Sequence, residues 1–164
     1  MSRAIAMRNE TAGSVMPRSK TQHEFVTMRL NGQLFGISVM AVQDVLRQLT
    51  ISPVPLTPPV IAGLMNIRGR IVTGIDMRVR LNMPSRAEED TKKLMFVVVE
   101  FQHELFALIV DGVGDVLNLP MAQLEKTPPN MDDAWRSVSG GVFKLEKEIM
   151  VVLDVANIIE GIRV

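Results

Sequence analysis

The chain has 164 residues with 18 basic and 18 acidic side chains, an apolar fraction of 47%, one Trp, no Tyr and no Cys. A chain of this length forms one domain or two small intimately packed ones, and roughly 70% of its extended surface is buried. Zero net charge lacks the strongly basic footprint of a nucleic-acid binder, and a chain without Cys has no disulfide, thiolate metal site or thiol nucleophile, which fits a cytosolic protein.

Residues 1–22 mix Ser, Thr, Arg, Asn and Gly without apolar periodicity, so a disordered tail is expected there and a folded domain over 23–164. No run approaches the roughly 18 to 20 apolar residues of a membrane span, and no hydrophobic signal core opens the chain, so membrane insertion and export by that route are not expected. From Glu24, Val26, Met28 and Leu30 alternate up to Asn31-Gly32, and Phe35, Ile37 and Val39 alternate after it, which predicts a β-hairpin with a tight turn. Val42, Val45, Leu46 and Leu49 fit a short helical turn or a bent strand. Pro53, Pro55, Pro58 and Pro59 keep the next segment extended. Val60 to Ile67 reads as an apolar helical turn ending near Asn66 to Gly69, and Ile71 to Ile75 as a strand.

The polar stretch 84–93, with Glu88-Glu89-Asp90 and Lys92-Lys93, reads as a solvated hinge loop between two halves. Beyond it, near-continuous apolar runs at Leu94 to Glu100 and Leu105 to Asp111 flank a polar turn and predict a second hairpin, buried on both faces. Pro120 to Pro129 forms a connector, Val142 to Leu145 pairs with Ile149 to Leu153, and Val155 to Ile162 is expected to end the chain as a short helix. The halves are related. Leu34 to Leu46 returns 71 residues later as Leu105 to Leu117 with seven of thirteen positions identical, and Thr57-Pro58-Pro59 returns as Thr127-Pro128-Pro129. Such a repeat is too long and too few in number for a solenoid. Many short strands and no long amphipathic helix predict an all-β fold of two small barrels, with a crevice between them lined by both copies.

Catalytic chemistry finds little support. His23 sits at the tail boundary and His103 in a predicted turn, both expected as plain surface histidines, and two His without Cys give no metal signature. Asp76, Asp111 and Asp154 each stand at a strand end, where an Asp commonly bonds turn amides; a hydrolase built on their convergence is the weaker alternative. Gly63-Leu64-Met65-Asn66-Ile67-Arg68-Gly69 suggests a constrained turn, framed by its glycines and Asn66, that aims Arg68. That side chain then serves either as an interface anchor or as an internal partner of Asp44 or Asp76. Arg70, Arg78 and Arg80 are expected simply on the surface. An oligonucleotide-binding small barrel would want exposed aromatics for base stacking, and aromatics make up only 4% here.

Asn66-Ile67-Arg68-Gly69, Val42-Gln43-Asp44-Val45-Leu46-Arg47, Asp76-Met77-Arg78 and Val110-Asp111-Gly112-Val113, with their spacing over about residues 24–162, resemble the CheW family of chemotaxis coupling proteins. The resemblance implies two intertwined five-stranded SH3-like barrels with a few short helices, no catalysis and no cofactor. It also implies a cytoplasmic adaptor at chemoreceptor arrays, joining the tips of methyl-accepting chemoreceptors to the regulatory domain of a CheA-type histidine kinase; a chemosensory array with a non-swimming output is the alternative. It places receptor contact in the groove between the barrels, at Val42, Asp44, Gly63, Arg68, Val113 and Val116. For the three valines, ordinary core packing remains the competing reading. The sequence departs from the family pattern at Ile67 and Met77, where Leu is common, at Thr73-Gly74, where a Pro is common, and at Asp44, where Glu is more usual.

Overall fold

A computed structural model describes residues 22–47 and 49–162, so the tail expected over residues 1–22 lies outside the described residues except for Gln22. Among the described residues the strands are β1 (Gln22–Leu30), β2 (Gln33–Ser38), β3 (Val42–Arg47), β4 (Ile61–Ile67), β5 (Arg70–Asp76), β6 (Met95–Phe101), β7 (Glu104–Val110), β8 (Gly112–Pro120), β9 (Ser139–Lys144) and β10 (Ile149–Leu153). Three short helices, α1 (Met77–Arg80), α2 (Asp133–Val138) and α3 (Val155–Glu160), complete the set with brief 3-10 turns.

The strands form two five-stranded sheets, ordered β8-β1-β2-β10-β9 and β3-β6-β7-β5-β4. Each sheet takes a hairpin from one copy of the repeat and three strands from the other. The copies are therefore interleaved, as expected for two intertwined barrels. The exchange is made by antiparallel pairs, β1 with β8 and β3 with β6, and by parallel ones: β10 lies beside β2 through Val151 opposite Phe35, and β5 beside β7 through Gly74 opposite Ala107.

Local chemistry explains the hairpins. Asn31 and Gly32 join β1 to β2 at φ of 50° and 82°, the left-handed pair of a type I′ turn, whose twist matches that of the flanking strands. Arg68 and Gly69 do the same between β4 and β5, and Gln102 and His103 between β6 and β7. Closing strands end in an Asp that caps the next helix. Asp76 accepts a hydrogen bond from the Arg78 amide at 3.0 Å, and Asp154 accepts one from the Asn157 amide at 3.2 Å.

Three apolar clusters hold these layers. Phe25, Leu34, Phe143 and Met150 form the core of the first sheet, with Phe25 and Phe143 edge to face at 5.3 Å. Met65, Ile67, Val72, Phe96, Val98, Ala107 and Ile109 form that of the second. The largest cluster runs between them and includes Met28, Phe35, Ile37, Ile75, Val97, Leu108, Val151 and Ile158. Trp135 of α2 rests on its margin, edge to face with Phe35 at 5.4 Å, and donates its indole N–H to the Leu81 carbonyl at 3.0 Å.

Several expectations need correction. Val60 to Ile67 is not a helical turn: Ile61–Ile67 is strand β4, with Gly63, Met65 and Ile67 buried and Leu64 and Asn66 outward. Its pattern misleads because Leu64 keeps an apolar side chain on the solvent face, and short apolar runs do not separate strand from helix. Val42–Arg47 resolves as the strand alternative. The 84–93 segment joins the two halves in sequence, yet the strands on either side of it, β5 and β6, belong to one sheet. It is not wholly solvated either, because the side chain of Arg86 is only 6% exposed. Arg70 is exposed as expected, but Arg78 and Arg80 are not free surface groups: Arg78 holds Asp111, and Arg80 donates to the carbonyls of Asn157 and Ile158. His103 is exposed, whereas His23 lies within β1 and its Nδ1 is buried without a hydrogen-bond partner among the described residues.

Candidate functional site at the seam

The repeated word Val-x-Asp-Val-Leu lies on β3 in one copy and on β8 in the other, and both are edge strands of their sheets. Val42 opens the first and Val113 stands near the start of the second. Each is half-buried against the central cluster. The two copies of the word thus occupy equivalent edge positions, and both valines pack against one shared core.

Asp44 of β3 is ion-paired with Arg68, which the type I′ turn projects from the end of β4. Strands β3 and β4 are opposite edges of one sheet, so this pair helps curl that sheet into a barrel. The guanidinium beside Asp44 holds its carboxyl below the usual carboxylate range. Arg68 nevertheless remains 73% exposed, so the internal partnership and the outward presentation hold together. Asn66 frames the turn through its side-chain carbonyl, which accepts from the Gly69 amide at 2.9 Å.

Gly63 has a different task from the turn framing expected of it. It sits inside β4 at φ 148°, where a Cβ would lie 2.4 Å from the Ser52 carbonyl oxygen. That carbonyl accepts from the Leu64 amide at 2.8 Å, pinning the proline connector to the barrel. Gly141 repeats the arrangement on β9 at φ 131°, against the Glu125 carbonyl. Substitution of Gly63 therefore acts on barrel shape before it acts on any partner.

On β8 the counterparts are more open. Gly114 and Asp115 are exposed, and Val116 is 45% exposed where its counterpart Val45 is half-buried. Beside Val113 lies an open crevice of about 410 Å³ lined by Arg47, Lys92, Lys93, Leu94, Met95 and Gly112. Val113 thus meets the Arg47 end of β3, with Val42 at the other end of that strand. The structure brings Asp44 and Arg68 into direct contact and sets Val42 and Val113 on one shared core. Val116 stands outward on β8, and Gly63 is buried under the connector.

Sequence reasoning missed the positive rim of that crevice and an ionic cluster around Asp111. Asp111 receives Arg78 Nη2 at 2.6 Å, Arg86 Nε at 2.7 Å and the Asn31 amide at 2.7 Å. Arg86 also reaches Asp76 at 3.0 Å. Burial pushes the Asp111 carboxyl up, but the hydrogen bonds from Arg78, Asn31 and Arg86 outweigh it and hold it below the usual range. Asp76 and Asp111 do converge, on arginines that neutralise them, and Asp154 caps a different helix. An isolated Asp-Met-Arg word was the available signal for Arg78; Arg86 had none.

An arrangement of half-buried valines, an anchored arginine and an open crevice suits docking of a partner surface, apolar at its centre and polar at its rim. The family profile described as a CheW-like domain matches residues 24–163. The chain is similar to the chemotaxis protein CheW of Rhizobium meliloti, at 27% identity over 82% of this chain and 86% of the relative. It is also similar to that of Klebsiella aerogenes, at 26% identity over 84% and 82%. Among solved structures, the scaffolding protein TtCheW from Thermoanaerobacter tengcongensis superposes with a TM-score of 0.73, at 26% identity over 80% of this chain and 88% of that one.

Proposed function

Because the chain belongs to the family of CheW-like domains, we propose that it couples the cytoplasmic tips of methyl-accepting chemoreceptors to the regulatory domain of a CheA-type histidine kinase. It is a chemotaxis coupling scaffold and not an enzyme, in keeping with its relatives. Its place of action is the chemoreceptor array in the cytoplasm. Among the described residues, no helix is long and apolar enough to cross a membrane.

What supports this reading is that both copies of one word lie on edge strands, with an exposed Arg68 paired to Asp44 of the first copy and an open crevice beside Val113 of the second. A receptor tip is a helical hairpin, and a helix lying along the seam sets apolar side chains against Val42, Val113 and Val116 while Arg68 and Asp44 meet its polar flank. Gly63 contributes by keeping β4 close to its connector. Kinase contact uses another face. Leu64 and Ile71 leave apolar side chains exposed on the neighbouring strands β4 and β5, open to the end of a homologous domain.

A scaffold of this kind raises the effective concentration of receptor and kinase for each other. The direct test is a pull-down of the purified chain with a kinase regulatory domain and a receptor signalling tip. Arg68→His is expected to lower receptor-stimulated kinase phosphorylation with the fold retained, and Val113→Met to weaken receptor binding by filling the groove. Full stimulation by a folded Arg68→His protein would remove Arg68 from the site. Unfolding by Val113→Met would return Val113 to the core.

A further inference from the structure

We propose that the crevice beside Val113 is a carboxylate-recognition pocket, so that the helix docked in the seam carries an Asp or Glu close to an aliphatic side chain. This rests on the receptor-docking reading and specifies the chemistry of the partner there. Arg47 at the end of β3 and Lys92 and Lys93 at the end of a 3-10 segment (Glu88–Lys93) line the crevice with Leu94, Met95 and Val113. All three cations are exposed, and among the described residues none is ion-paired. Elsewhere Arg29, Arg78 and Arg86 hold carboxylates, and Arg80 holds backbone carbonyls.

Among the described residues the nearest acidic side chains in sequence form no ion pair with this rim, and Asp44, three residues before Arg47, is taken by Arg68. Glu88, Glu89 and Asp90 open the same segment, and the charge of Asp90 acts on Arg78, beside the Asp111 cluster. The result is a half-apolar cleft with three unmatched positive charges. Its volume of about 410 Å³ suits side chains reaching in from a helix laid across the mouth. Residues about three or four apart share one helix face at roughly 5–6 Å, which places an aliphatic group on Val113 and Met95 and a carboxylate among the cations. Charges at such a rim act mainly on encounter rate and salt dependence.

The test uses the full chain and a purified chemoreceptor signalling-tip fragment, with affinity measured by calorimetry from about 50 to 300 mM NaCl, a range over which exposed charges become screened. Wild-type affinity is expected to fall as salt rises. The triple variant Arg47→Gln, Lys92→Gln, Lys93→Gln is expected to bind about fivefold more weakly at low salt and to lose most of the salt dependence. Val113→Met should weaken binding at every salt concentration and leave the dependence in place. Circular dichroism of each variant guards against misfolding, and the single variant Lys93→Gln stands in if the triple one fails to fold. A triple variant with wild-type affinity and salt dependence, alongside a weakened Val113→Met, overturns the carboxylate pocket while the docking reading stands. Wild-type binding by both variants overturns both. Equal salt-dependent capture by phosphatidylglycerol vesicles would assign the rim to a lipid surface instead.

Discussion

The chain crosses from one sheet to the other twice, once between β2 and β3 and once between β7 and β8, at equivalent positions of the repeat. At the first crossing stands Met40, 86% exposed, in a 3-10 turn held by the Ser38 hydroxyl, which accepts from the Met40 amide at 3.2 Å. At the second, the counterpart is Asp111, gripped by Arg78, Arg86 and the Asn31 amide. One crossing is cross-linked through charge to a neighbouring loop, a helix and a hairpin of the other sheet. The other is held by local bonds alone among those seen at the described residues, the Ser38 contact and the Val42 amide donating to the Val39 carbonyl. Duplicated sequence thus preserves topology while one position, Met40 in one copy and Asp111 in the other, differs in what it ties to the crossing.

The sharpest way to break the equivalence of the barrels is at their blocked glycines. Gly63→Ala is expected to cost about 3 kcal/mol or more, because the added Cβ meets backbone and the φ is left-handed. Gly141→Ala should cost less, since its nearest carbonyl stands off at 2.8 Å and the Leu124 side chain can shift. Urea unfolding midpoints of the two variants check the order; equal values would mean that both connectors yield alike.

Next comes the contrast between crossings. Arg86→Met should cost about 2–3 kcal/mol by leaving Asp76 and Asp111 short of a buried cation, whereas Met40→Ser should change stability by less than about 0.5 kcal/mol. The acid limb sharpens this. The folded Asp111 carboxyl lies below its ordinary value of about 4, so its contribution is present above that pH and is lost as pH falls through the folded value. Removing Arg86 narrows that shift, and the acid-unfolding midpoint, followed by circular dichroism, should move to higher pH.

The smallest effect separates the two edge strands. Val45→Lys is expected to cost about 1–2 kcal/mol, because Val45 is half-buried, and Val116→Lys to fall within about 0.5 kcal/mol, because Val116 faces solvent. Receptor binding should reverse the ranking for Val116, with binding lost in a protein of unchanged thermal stability.

Much of this architecture was readable from residues alone. Asn31-Gly32 announces its turn because that dipeptide accepts two left-handed conformations, and the Asp at each strand end announces a helix cap. The Gln102-His103 turn has the same backbone with residues that give no such signal. Strand β4 gives a misleading signal because Leu64 faces outward and erases the alternation. The exchange of strands between barrels has no local signature, since the parallel pairs β2 with β10 and β5 with β7 join distant segments; only the resemblance supplied it. Of the site, Arg68 stands out by its turn, with Asp44 and Asp76 both open as internal partners, and the structure pairs it with Asp44. Arg47, Lys92 and Lys93 were not, because a crevice between elements belongs to tertiary packing.

Interleaving also governs how this molecule can be taken apart. A cut anywhere between Arg80 and Lys93 yields one piece holding β1 to β5 and another holding β6 to β10, and neither owns all the strands of either sheet. Such fragments have no finished core to fold around until they meet. A coupler wired this way lends itself to a split reporter, in which reassembly of the two pieces is itself the signal.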